Sequence, residues 1–230
     1  MENRKHTSLK DLAQALGVSI PTVSRALKDS PEISRELCAK AKALAKEMNY
    51  RPNPFAMSLR KNAPRIIGVI VPDIVTHFFA SILNGIENMA IANGYFVIIT
   101  TSHESYEHEK RNIENLVNMR VEGIIACLSQ ETTDFSHISA LKDINMPLIL
   151  FDRVCLTDQF SSVIADGAQS AQMATQHLLD NGSERVAFIG GANHLDIVKR
   201  RKHGYLEALR DNRIPIEKEL VVCRKIDYEE

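Results

Sequence analysis

The chain has 230 residues, 44% hydrophobic and 25% charged, a composition that suits a small domain joined to a larger one, or one large domain, and excludes disorder as the default. Its longest apolar runs, "IIGVIV" from Ile66 and "GIIACL" from Gly123, are far shorter than the roughly 18 residues that cross a bilayer, so they read as buried strands and no membrane partner is expected. The net charge of −1 hides a division: residues 1–62 hold twelve Lys and Arg against six Asp and Glu, while the rest hold sixteen against twenty-three.

A basic head on an acidic body suggests a nucleic-acid-binding module joined to something with another task, although charge alone equally describes a solvated helical surface. No basic start leads into an apolar segment of the signal-peptide kind, so a cytoplasmic location is expected. Cys38, Cys127, Cys155 and Cys223 are widely spaced and form no C-x-x-C pair, which reads as free thiols and no metal site.

The head carries three helix starts. Ser8 can cap the first, with Asp11 in its first turn and Leu9, Leu12, Ala13 and Leu16 as its apolar stripe, and Gly17 ends it. Ser19 can cap the second. That places Ile20 and Pro21 in the first turn, where the N–H that proline lacks has no intrahelical partner anyway. Val23, Ala26 and Leu27 then face inward, leaving Ile20, Pro21, Thr22, Ser24, Arg25 and Lys28 to project. Ser34 starts a third helix, with Leu37, Ala41, Leu44, Ala45 and Met48 toward the core.

Two short helices around the tight "GVS" turn, closed by a third, make a helix-turn-helix whose second helix can enter a major groove. Arg25 can donate two hydrogen bonds to guanine, and Ile20 and Pro21 offer apolar contact to a thymine methyl. Thr22 and Ser24 suit phosphate oxygens, and Ser8 and Lys28 are also expected to meet DNA. A three-helix bundle that binds protein is the alternative. In "NYRPNPFAMSLRKNAPR", Asn53 is a good N-cap and Pro54 suits the first helical position, but only about two turns follow, too few to be stable alone. The segment reads as a linker that orders on DNA, or as a plain tether.

"SLKDLAQALGVSIPTVSRAL", "NYRPNPFAMSLR" and "IIGVIVPD", in that order, resemble the LacI/GalR family of bacterial transcription repressors. The resemblance implies a DNA-binding headpiece (1–50), a hinge (51–64), the N-terminal subdomain of an effector-binding core (65–165) and part of its C-terminal subdomain (166–230). It implies a hinge that folds in the minor groove, with Ala56 beside Leu59 and Leu59 wedged into the central base step. It also assigns Ile20, Pro21 and Arg25 to base reading, and Thr22, Ser24, Ser34, Tyr50 and Asn53 to backbone contacts. The partners it implies are a pseudo-palindromic double-stranded operator, a small-molecule effector of the sugar type, and a second copy in a homodimer.

The body alternates strand and helix patterns, which predicts a parallel α/β sheet of the periplasmic-binding-protein kind. Strands are expected at 66–71, 96–100, 123–127, 148–151, 186–189 and 220–223, and helices near 78–92, 106–118, 133–143, 168–179 and 198–211. Ligands bind outside the carboxyl ends of such strands. There the sequence places Asp73, His77, Phe78 and Phe79 after the first strand and Phe151-Asp152-Arg153 after another; the phenylalanines could equally be core. The resemblance assigns effector contacts to Asp73, Phe78, Phe79, Asp152, Asp166 and Arg201. One position departs from it: where many members have Ser or Thr four residues before that arginine, this chain has Ile197, which alters the polar set.

An enzyme is not expected, and no cofactor. His103 and His108 are five apart, unlike the i, i+4 pair of a metalloprotease, and neither a G-x-G-x-x-G nor a G-x-S-x-G stretch occurs. A ligand-binding module without DNA and a sugar-processing enzyme are the competing classes, and the basic headpiece favours the DNA-binding sensor. Members of the family continue well past the position of Glu230. The second subdomain is therefore expected to be partial and the effector response to be lost in a chain of this length.

Overall fold

A computed structural model describes residues 7–50 and 65–224. The chain divides into two compact units, Met1–Asn62 and Ala63–Glu230.

In the first unit, α1 spans Leu9–Leu16, α2 Ile20–Ala26 and α3 Arg35–Glu47. Each start has its own cap. Asp11 N–H donates to Ser8 Oγ and the Asp11 carboxylate returns to Ser8 N–H, closing a capping box. Ser19 and Ser34 accept from the N–H groups of Thr22 and Leu37. Gly17 ends α1 at φ 65°, a left-handed position that glycine occupies without strain. Leu12, Ala13 and Val23 pack with Leu9, Leu16, Val18, Leu44, Met48 and Tyr50 in one cluster, and Ala26, Cys38 and Ala41 close a second with Ile33.

In the second unit, β1 (Ile66–Val71), β2 (Phe96–Thr101), β3 (Gly123–Ala126), β4 (Leu148–Phe151) and β5 (Ser161–Val163) form one parallel sheet in the order β2-β1-β3-β4-β5. Helices α4 (His77–Ala92), α5 (Tyr106–Asn118) and α6 (Ser136–Asp143) join the first four strands. Alternation along β1 sends Val69 and Val71 to the α4 side with Phe79, Leu83, Cys127 and Phe151. It sends Ile66 and Ile70 to the other side with Ile113, Leu116 and Ile138. The thiols of Cys127 and Cys155 are pushed up to about 12 by burial, so both are inert, and all four cysteines are free.

Beyond β5, α7 (Gly167–Asp180) and α8 (Asp196–Asp211) pack together beside a two-stranded parallel sheet of β6 (Phe188–Gly190) and β7 (Val221–Cys223). Gly204 makes their contact possible, because a Cβ there would fall 1.9 Å from the Ala168 carbonyl oxygen. Tyr205, one residue on, is buried and donates its hydroxyl proton to the Val186 carbonyl at 2.9 Å.

Candidate functional sites

The first candidate is the outer face of α2. Ile20 is 43% exposed, and Pro21, Arg25 and Lys28 are exposed, with Thr22 half-buried and its hydroxyl 2.7 Å from that of Ser19. One expectation needs revision. Ser24 is 8% exposed and does not project, because it lies one helical step from Val23 and falls at the edge of the buried arc formed with Ala26. Tyr50 is half-buried against the Leu12 and Val23 cluster, and that burial pushes its phenol up. Ser8 and Ser34 are exposed at helix starts, their hydroxyls already engaged as caps. Asn53, Ala56 and Leu59 lie outside the described residues.

The second candidate is the carboxyl edge of the large sheet. In the order β2-β1-β3 the direction in which strands are added reverses after β2, and the crevice outside the β1 and β3 ends is where such sheets take ligands. Asp73 follows β1; its Oδ1 accepts from the N–H groups of Val75 and Thr76 at 2.9 and 2.8 Å, which turns the chain into α4. Phe78 is 51% exposed. Phe79 is 5% exposed and belongs to the core, a correction to its place among ligand contacts: with Leu83 and Ala90 it follows the inward period of α4.

Arg201 lies within electrostatic reach of Asp152 and packs against Gly167, the residue after Asp166. The half-buried Asp152 carboxyl is pushed up by burial, against the pull of Arg153 and Arg201. Asp166 caps α7 by accepting from Gln169 N–H at 2.9 Å, and a Cβ on the adjoining Gly167 would meet Arg201 Cγ at 3.4 Å. An acid disfavoured by burial and held beside a guanidinium is the kind of group that binding sites accumulate.

Behind these groups stands a polar network that the sequence did not reveal. Glu104 accepts from Arg153 Nη1 and Nη2 at 2.6 and 2.9 Å and from Gln130 N–H at 2.7 Å, so Arg153 is committed to an internal bidentate pair rather than offered to a ligand. Glu109, fully buried, accepts from Ser129 N–H at 2.5 Å, Thr132 Oγ1 at 2.8 Å and His137 Nε2 at 2.8 Å. His194, before α8, donates from Nε2 to the Gln130 carbonyl at 2.8 Å. Two carboxylates and one imidazole therefore fix the loop after β3. A cavity of about 270 Å³ at this edge is bordered by Thr132, Arg153, His194 and Lys199, and by none of the expected effector residues. One signal for Glu109 was present: it stands in phase with Ile113 and Leu116 on α5.

Residues 65–230 match the family model described as periplasmic binding proteins and sugar binding domain of LacI family, and residues 8–53 match bacterial regulatory proteins, lacI family. Catabolite control protein A of Priestia megaterium is 31% identical over 229 residues, covering 97% of this chain and 67% of the relative. The ribose operon repressor of Bacillus subtilis (strain 168) is 32% identical over 203 residues, covering 88% and 60%. The crystal structure of the lac repressor dimer bound to operator and the anti-inducer ONPF is 26% identical, with a TM-score of 0.74, covering 98% of this chain and 67% of that one. The chain thus spans 60 to 67% of the length of these proteins.

Proposed function

Since the chain belongs to the LacI family of bacterial regulatory proteins, we propose that it is a sequence-specific transcriptional regulator, a repressor, whose operator binding is controlled by a sugar or sugar derivative. It acts on DNA and so works in the cytoplasm; it is not an enzyme. The observation that carries this reading is the outer face of α2, where Ile20, Pro21 and Arg25 stand exposed on a helix that the Ser19 cap and a closed apolar core hold in place, with Lys28 exposed just past its end. Arg25 reads a guanine, Ile20 and Pro21 a thymine methyl, and Thr22, Lys28 and Ser34 meet phosphates. Ser8 and Tyr50 add further DNA contacts, and Asn53, Ala56 and Leu59 are assigned to the minor groove.

Asp73, Phe78, Asp152, Asp166 and Arg201 form the effector side, between subdomains over 65–165 and 166–230. Carboxylates and a guanidinium direct hydrogen bonds to hydroxyls, and an exposed aromatic face covers the apolar face of a sugar ring. The relatives named as repressors, and the lac repressor dimer on its operator, support the reading.

One recognition helix covers only a few base pairs, so the protein binds as a homodimer to a two-fold-related site. Selection of binding sites from random duplex DNA by the whole chain tests this. Paired, inverted half-sites at one fixed spacing are expected; recovery of single half-sites, or of no preferred sequence, contradicts the proposal.

A further inference from the structure

The reading helix does not present its arginine freely. Arg25 Nη1 donates to Glu32 Oε2 at 2.7 Å, with the two side chains 52% and 66% exposed. Glu32 lies on the turn between α2 and α3, and the backbone there is anchored at both ends. Ser30 N–H donates to the Arg25 carbonyl at 3.1 Å, and Ile33 N–H to the Ser30 carbonyl at 3.0 Å. Ile33 packs against Ala26, Cys38 and Ala41. The backbone that carries Glu32 is therefore held within reach of Arg25. The nearby acid on this turn, Asp29, is occupied by Lys42, both of its oxygens 2.6 Å from Nζ.

A negative charge beside a DNA-facing helix weakens the phosphate contacts around it, in a head that carries a two-to-one excess of basic side chains. We propose that Glu32 is a specificity-determining residue that acts through Arg25; the inference rests on the reading that Arg25 meets guanine. A free guanidinium on this face binds any phosphate as a mobile cation. Paired with Glu32 through Nη1, its charge is partly offset while its other N–H groups remain free, which weakens attraction to an anionic phosphate more than hydrogen bonding to the neutral guanine O6 and N7. Glu32 thus competes with phosphate more than with guanine, so it lowers general affinity and raises discrimination. It is a positioning residue and needs no base contact of its own.

The test is Glu32→Gln in the whole chain, a change that keeps the side chain's shape at an exposed site. Affinity is measured across a salt series for the operator obtained by selection and for a random duplex, with and without Arg25→Ala. With Arg25 present, random-duplex binding should tighten, operator binding should change less, and the specificity ratio should fall about two- to five-fold, the scale of an exposed ion pair. With Arg25→Ala the same substitution should leave the ratio unchanged. A ratio that does not move, or that falls equally in both backgrounds, overturns the proposal. If Arg25→Ala alone leaves base preference intact, the assignment of Arg25 itself fails and the proposal falls with it. If that preference is lost but Glu32→Gln has no effect, the inference about Glu32 alone fails.

Discussion

The headpiece and the α/β unit place their polar groups in opposite ways. In the headpiece the interior is apolar, and the polar side chains near the reading face come from one stretch, with cap partners three residues apart and Arg25 and Glu32 seven apart. In the α/β unit the carboxyl edge is knitted by polar groups far apart in sequence: the buried Glu109 and His137 by 28 residues, the part-buried Glu104 and Arg153 by 49, and His194 and Gln130 by 64. A rigid local scaffold suits a surface that must match DNA. A long-range polar network joins several loops, so disturbance at one loop is felt at the others, which suits an edge that must respond to a ligand.

Breaking the network at its most buried point gives the largest effect. Glu109→Ala leaves His137, Thr132 and Ser129 N–H without their common acceptor, and should lower the stability of the α/β unit by about 3 kcal/mol, on the scale of a broken buried pair. Thermal unfolding followed in the whole chain should show that unit's transition move down while the headpiece's stays in place. If both transitions move together, the two units are not independent in the way the comparison holds.

A smaller, opposite effect is expected at Asp152. Its folded-state pKa is raised by burial, so ionisation opposes folding above that value, and the penalty is relieved as pH falls through it. Asp152→Asn should therefore stabilise the unit slightly at neutral pH, a gain that solvent screening keeps small and that fades on acidification. Denaturant midpoints at neutral and acidic pH measure it. A loss of stability at neutral pH would instead make Asp152 a structural partner of Arg153 and Arg201 rather than a group kept for a ligand.

The same contrast explains what could be read from the chain. Caps, the Pro21 position and the inward Val23 and Ala26 follow from helical period and local chemistry, so the headpiece was legible almost residue by residue. Ser24 was misplaced because it sits at the margin of the buried arc, where a period cannot decide. Four strands of the large sheet announced themselves as apolar runs, but β5 is three exposed residues and gave no signal. Residues 133–135 precede α6 instead of opening it, since the Asp134 carboxylate accepts from Ser136 N–H at 2.9 Å and turns the chain there. His103 lies before α5 at φ 50°, so it shares no helix with His108 and a helical spacing does not describe the pair; their rings stand 6.1 Å apart. The partners of Glu104 and Glu109 come from other strands' loops, and no local pattern could name them.

The central claim is that α2 reads sequence through Arg25. It is tested most directly by selecting sites from random DNA with the whole chain and with Arg25→Ala, and comparing preferences position by position. The account predicts that one G·C position in each half-site loses its preference while the others keep theirs, with a cost to operator binding on the order of 1–3 kcal/mol. Identical preferences at every position for the two proteins would contradict it.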